Sequence, residues 1–329
     1  METFASQVQG NEERRVMSSS GTSPDLVISE VAIVGAGTLG AQIAAMTAAS
    51  GRRVRLFDVA PRVAEQSIAR MRQTLGPVIA RGDLTWDLEA VLGRIVPVAS
   101  LTEAVAGVDL VIEAVREHLP TKRDVFTEIS ELNPHALLAT NSSSIPSSAL
   151  ADVVADPGKL VNLHFFTEFW DRSAVELMGC GATTPETMRA MEAFGRSLGL
   201  FTAVVQGESK GFIINRIWRA VKRESLAVVD AGHATPEDID RLWALFWGTR
   251  YGPFGVMDGV GLDVVADIEE SYIAVSPDPT DRRSKTLHAL VSKGRLGEKT
   301  GHGFYDYPNP AYRQPHWPHL PPPADDEPG

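Results

Sequence analysis

The chain reads as an α/β protein in which a doubly wound parallel sheet is followed by an all-helical C-terminal domain. Three observations predict this: short apolar runs alternate with helical patterns from Val27 onward, a glycine-rich turn follows the first run, and strand patterns cease after about Val205. With 329 residues, 43% of them hydrophobic, the chain has enough apolar material for two medium domains.

Taken in order, residues 1–26 read as a disordered tail. They lack the apolar core of a secretory signal, and Glu2, Glu12 and Glu13 interrupt a stretch that a transit peptide keeps poor in acids. Strand runs follow at Val31-Ala32-Ile33-Val34, Val54-Arg55-Leu56-Phe57, Asp109-Leu110-Val111-Ile112, Ala136-Leu137-Leu138-Ala139 and Leu160-Val161-Asn162-Leu163. Two more, Val175-Glu176-Leu177-Met178 and Phe201-Thr202-Ala203-Val204-Val205, flank a helix that Thr184 caps and Pro185 begins. The sheet domain therefore spans 27–207.

A long helix from Lys210 opens the helical domain, 208–308. Ile213, Ile214, Ile217, Ala220, Val221 and Val228 recur at spacings of three, four and seven, with Arg216, Arg219, Lys222 and Arg223 between them, and Gly232 ends the helix. Thr235-Pro236-Glu237-Asp238 combines a cap, a proline at the first helical position and first-turn acids, so it starts the next helix. Eight of the 21 prolines lie from Pro308 onward, which predicts an extended or disordered tail over 309–329.

A net charge of -11 repels phosphate backbones and anionic lipid heads, and no basic run reverses that sign, which argues against nucleic acid and membrane partners. No apolar stretch approaches the roughly 20 residues that span a bilayer. The single cysteine, Cys180, cannot form an intrachain disulfide, and a reducing cytoplasm fits best.

The first strand runs straight into Gly35-Ala36-Gly37-Thr38-Leu39-Gly40, and a helical pattern follows. This order of strand, glycine turn and helix is that of a Rossmann-type dinucleotide site. Gly35 permits the turn, Gly37 lets the backbone approach a pyrophosphate, and Gly40 lets the helix pack on the strand, so that the N–H groups through Thr38 and Leu39 face phosphate. Asp58 ends the second strand, where its carboxylate accepts hydrogen bonds from ribose hydroxyls and repels a 2′-phosphate; this favours NAD, although Arg62 lies close enough in sequence to keep NADP in view.

His164 follows Leu160-Val161-Asn162-Leu163 at the carboxyl edge of the sheet, where ligands of open α/β sheets bind. Its type suits a proton acceptor, since an imidazole pKa of about 6.5 allows a proton to be taken and returned near neutrality. Glu176 sits inside an apolar strand, where a buried carboxylate needs a partner, and His164 is the plausible one. Such a pair fixes the ring tautomer and stabilises the imidazolium.

These residues resemble the L-3-hydroxyacyl-CoA dehydrogenase family from about Val27 to Tyr307. His164-Phe165-Phe166 with Glu176 looks like the family's catalytic pair, and Asn141-Ser142-Ser143-Ser144 is similar to its Asn-Thr-Ser-Ser segment. Gly211-Phe212-Ile213-Ile214-Asn215-Arg216, Tyr251-Gly252-Pro253-Phe254 with Asp258, and Gly297-Glu298-Lys299-Thr300-Gly301 resemble further family segments, as does Glu113-Ala114-Val115-Arg116-Glu117 with Lys122. The resemblance implies that Glu117, Lys122, Asn141 and Lys299 contact or position NAD. It also implies that Ser143 and Asn215 bind the substrate oxygen, that the site lies between domains, and that the chain is a homodimer acting in fatty acid metabolism.

The chain departs from the family at Thr167-Glu168, where the family has Asn-Pro, and then carries Phe169-Trp170-Asp171-Arg172. Glu168 and Arg172 belong either to the substrate pocket or to a solvent-facing loop. The stretch from Arg62 to Gly93 has arginines and no lysine, whereas the family's CoA-binding region is rich in lysine. The carrier is thus open among CoA, an acyl carrier protein and a free hydroxy acid. A non-catalytic NAD-binding protein is the alternative of another class, against which the joint presence of His164, Glu176, Ser143 and Asn215 speaks.

Overall fold

The structure, a computed structural model, describes residues 27–60 and 62–319; the expected tail at 1–26 lies outside the described residues. The chain divides into two compact units after Phe212. The first contains β1 (Glu30–Val34), α1 (Thr38–Ala49), β2 (Arg53–Phe57), α2 (Val63–Ala80), α3 (Leu88–Leu92), β3 (Ile95–Pro97), α4 (Leu101–Val105) and β4 (Leu110–Glu113). It continues with α5 (Leu119–Leu132), β5 (Leu137–Thr140), β6 (Leu160–Phe165), β7 (Ala174–Gly179), α6 (Pro185–Ser197) and β8 (Phe201–Val204).

The strands form one sheet in the order β3-β2-β1-β4-β5-β6-β7-β8. Strand order reverses between β1 and β4, which creates the crevice where doubly wound sheets bind ligands. Alternate residues of each strand feed different layers. Val31 and Ile33 pack with Ile43, Met46, Met71 and Phe194 on one face, while Ala32 and Val34 pack with Leu101, Val105, Phe126 and Ile129 on the other. Burial on both faces explains why the strands read as apolar runs rather than alternating ones.

Two features of the sheet depart from the sequence expectation. β3 escapes the pattern because it is short and contains Pro97, which an edge strand tolerates. β7 runs antiparallel to β6, whereas the other pairs are parallel. The link from Phe165 to Ala174 is too short for a parallel crossover, which takes about a dozen residues or more.

The second unit holds α7 (Ile214–Asp230), α8 (Pro236–Trp247), α9 (Pro253–Val260), α10 (Leu262–Ile273) and α11 (Lys285–Ser292), around Leu226, Phe254, Met257, Leu262, Val265 and Leu287. α7 starts later than Lys210 because Gly211 and Phe212 have φ of +81° and +54°, which no right-handed helix accommodates. The segment past Gly207 stays with the sheet: the Ser209 N–H reaches Met178 Sδ at 3.2 Å, and Phe212 buries against Met178 and Val205. α8 begins with a full capping box between Thr235 and Asp238.

The proline-rich end requires a correction, because its described part is packed. Tyr312 is buried in the helical core, and Trp317 joins its edge, donating from Nε1 to the Arg250 carbonyl at 2.9 Å under the Arg241 guanidinium. Aromatic side chains interleaved with the prolines supply the apolar area that composition alone hides. Residues 320–329 lie outside the described residues.

Candidate active site

The glycine turn leaves β1 at the switch point, where the Gly35 N–H donates to the Phe57 carbonyl at 2.8 Å. A Cβ on Gly35, whose φ is +108°, would strike the Ala114 backbone, and one on Gly40 would strike the Gly35 carbonyl. Packing of the chain thus demands both glycines. Gly37 differs, since a Cβ there would meet nothing within 4 Å although Gly37 caps the N-terminus of α1. That is the place where α1 offers unpaired N–H groups to a pyrophosphate. Asp58 steadies the turn by accepting the Ala36 N–H at 2.9 Å and the Ala60 N–H at 2.9 Å, and it remains half-exposed, as a ribose-binding carboxylate must be. The turn therefore fits a dinucleotide without a 2′-phosphate.

Beyond the switch point lies a buried charge network that the sequence reading only partly foresaw. Lys122 is fully buried, and its Nζ lies 2.8 Å from Glu113 Oε1, 3.0 Å from Glu113 Oε2 and 3.4 Å from Glu117 Oε2. Thr140 and the Val115 N–H complete the shell of Glu113 at 2.7 and 2.6 Å. Burial raises the Glu113 pKa against the opposing pull of Lys122. Burial also acts on Glu117, but the Ser142 hydroxyl, the Lys122 charge and Ser144 outweigh it and hold that carboxyl below its ordinary value.

Glu117 in turn shapes the loop after β5. Its Oε1 accepts from Ser142 Oγ at 2.6 Å, the Ser143 N–H at 3.1 Å, the Ser144 N–H at 2.9 Å and Ser144 Oγ at 2.8 Å. The Ser143 side chain stays exposed. Asn141 pins the end of β6 by accepting the Phe165 N–H at 2.9 Å, and Asn162 holds the far side of the loop through the Ser147 N–H and the Ile145 carbonyl. Among the positioning groups, Glu113 and Asn162 carry no individual role in the expectation from sequence. A charged or amide side chain within an apolar strand was the available signal, the one that singled out Glu176.

On β6, Val161, Leu163 and Phe165 face the main core, so Asn162 and His164 face the opposite side. The antiparallel register sets Glu176 directly opposite His164. Both are buried, and His164 Nδ1 lies 2.9 Å from Glu176 Oε2. An ionised carboxylate only accepts, so Nδ1 carries the proton and Nε2 is left to accept one. Phe212 stacks on the imidazole with ring centroids 5.0 Å apart, and Phe166 meets it edge-on at 5.0 Å. A hydrogen-bonded, aromatic-walled histidine of this kind can take a proton from an alcohol and return it to a carbonyl.

Of the remaining expected site residues, Asn215 is half-buried in the first turn of α7 in the helical unit. Lys299, in the same unit, holds Asp263 at 2.6 and 2.7 Å. Glu168 and Arg172 form an exposed ion pair at 3.0 Å, which is the solvent-facing alternative for that loop. Among the described residues no three His, Cys, Asp or Glu side chains gather as a metal site, and no helix is long and apolar enough to cross a membrane.

A dinucleotide turn at the switch point and a carboxylate-oriented histidine on the neighbouring strands define an NAD-dependent oxidoreductase. Comparison with known proteins sharpens that class. The profile described as "3-hydroxyacyl-CoA dehydrogenase, NAD binding domain" matches residues 30–209, and "3-hydroxyacyl-CoA dehydrogenase, C-terminal domain" matches 211–307. The chain belongs to the 3-hydroxyacyl-CoA dehydrogenase family. It is 33% identical over 282 residues to the probable 3-hydroxybutyryl-CoA dehydrogenase of Bacillus subtilis, covering 85% of this chain and 98% of that protein. Among solved structures, (S)-3-hydroxybutyryl-CoA dehydrogenase from Ralstonia eutropha superposes with a TM-score of 0.80 at 31% identity, covering 86% of this chain and all of the other. A diketoreductase studied with dicarbonyl compounds gives 0.76 at 32% identity, covering 85% and 99%.

Proposed function

We propose that the chain oxidises an L-3-hydroxyacyl-CoA to the 3-oxoacyl-CoA, or reduces the latter, with His164 exchanging the proton of the 3-oxygen. The buried 2.9 Å contact between His164 Nδ1 and Glu176 Oε2 carries this reading. When bound, NAD supplies the hydride acceptor or donor for carbon 3. His164 Nε2 takes the hydroxyl proton as the carbonyl forms, and Glu176 stabilises the resulting imidazolium. Ser143 donates to the 3-oxygen and holds its developing charge. Gly35, Gly37, Thr38, Leu39, Gly40 and Asp58 hold the cofactor. Glu117 and Asn141 order the wall beside it, and Lys122 acts through Glu117.

The assembly is a homodimer built on the helical unit, where Ile217, Leu242, Phe246 and Trp247 expose large apolar surfaces. A reducing compartment, the cytoplasm, suits the buried free thiol of Cys180, and the reaction is a step of fatty acid metabolism.

Dicarbonyl compounds without a CoA carrier form the second reading, favoured by the diketoreductase likeness and by the absence of lysine between Arg62 and Gly93. Rates of NADH oxidation with acetoacetyl-CoA, acetoacetyl carrier protein, acetoacetate and a free diketone decide between them. We expect kcat/KM for the CoA thioester to exceed the others by about 100-fold, a gap within reach of carrier contacts. Equal or better use of the free diketone contradicts the thioester assignment.

A further inference from the structure

Gln42 lies within α1, the helix that opens at the glycine turn, and is only 7% exposed. Its Oε1 accepts the Glu168 N–H at 2.8 Å, across 126 residues of sequence. Glu168 has φ of +58°, a left-handed conformation that strains a glutamate. The rest of the loop is organised on that residue. Its carbonyl accepts the N–H groups of Asp171 at 2.9 Å and Arg172 at 3.0 Å, and its carboxylate takes Arg172 Nη1 at 3.0 Å. Phe169 turns inward and stacks on Trp86 with centroids 5.3 Å apart.

The family motif places proline where Glu168 stands. A proline ring fixes φ near about −65° and offers no N–H, so proline can neither enter this turn nor bond to Gln42. The turn at Glu168 is thus one that proline could not take, and it is secured by a buried amide on the helix that opens at the glycine turn. Phe166, one residue before this loop, touches the His164 ring. The loop's apolar Phe169 is withdrawn, and Thr167, Glu168, Asp171 and Arg172 are left exposed. Trp170 packs partly against the core, so an aliphatic chain laid on this rim strips water from charges and finds little apolar surface in return.

We propose that Gln42 is a positioning residue: it latches the 167–172 loop as a polar rim beside His164 and so favours short acyl groups over long ones. This rests on the thioester dehydrogenase reading above, and the test separates the two. Amide hydrogen exchange over 166–172 is measured for the wild type, Gln42→Leu and the double variant Gln42→Leu/Glu168→Gly. The same proteins are assayed for kcat and KM with NADH and with 3-oxobutanoyl-CoA and 3-oxodecanoyl-CoA, and their Tm is recorded.

Gln42→Leu is expected to speed exchange about tenfold, the scale of one lost buried hydrogen bond, while KM for NADH stays within about twofold. Its preference for the short substrate should fall about fivefold or more in kcat/KM. Glycine adopts the left-handed turn without strain, so the double variant should recover much of both. Unchanged exchange, an unchanged chain-length ratio, a proportional loss on both substrates, or a wild type that prefers the decanoyl substrate each overturns the proposal. Failure of the wild type on both thioesters refutes the dehydrogenase reading, and the exchange data then still decide whether Gln42 latches the loop.

Discussion

His164 and Glu176 form a buried pair whose proposed function neither side chain has alone. The imidazole is held at one nitrogen by a buried carboxylate and walled by Phe166 and Phe212, and Nε2 is the atom proposed to exchange the proton. Glu176→Gln preserves shape but removes the charge that stabilises the imidazolium and reverses the tautomer preference. We expect kcat to fall by about 10²- to 10⁴-fold with KM little changed, measured by steady-state kinetics against acetoacetyl-CoA. Near-wild-type kcat would show that Glu176 only fills space. This pair was legible from sequence because a carboxylate inside an apolar strand requires a partner. Gln42 was not, since a glutamine in an alanine-rich helix carries no sign of what it will meet 126 residues later.

Elements were legible where their ends carry caps or their interiors are long apolar runs. Thr184 and Thr235 accept the backbone N–H groups expected of N-caps, and the helices begin at Pro185 and Pro236. The direction of β7 was not legible, because pairing direction depends on the length of a link rather than on the strand's own residues; yet that direction is what sets Glu176 opposite His164. In the helical unit, the buried Asp240 accepts the Phe254 and Gly255 N–H groups and the Tyr305 hydroxyl, while Asp258 accepts from Phe304 and Tyr305. Burial pushes Asp240 up to about 6.

A carboxyl raised in the folded state binds its proton more tightly there than in the unfolded chain. Its contribution to stability is present in full below the ordinary aspartate pKa and is lost as pH rises through about 6. Thermal unfolding of Asp240→Asn, followed from pH 4 to 7, should therefore lose less stability over that rise than the wild type does, by up to about 3 kcal/mol. Parallel curves for the two proteins would contradict the assignment.

At the scale of the molecule, the acidic chain carries its two family segments on two compact units, and each unit is built around its own core. Exposed apolar residues on α7 and α8 are the surface assigned to the dimer. Phe246→Glu with Leu242→Glu places like charges where two copies would meet, and sedimentation equilibrium should then show monomers where the wild type shows dimers. Monomeric wild type at micromolar concentration would remove the homodimer.

The most direct test of the central claim is turnover by His164→Gln with acetoacetyl-CoA and NADH, alongside NADH affinity by fluorescence titration. Proton exchange at His164 predicts kcat lower by about 10³-fold or more with NADH affinity within about twofold of the wild type. Turnover within about tenfold of the wild type would show that some other group exchanges the proton, and the assignment of this site would fail.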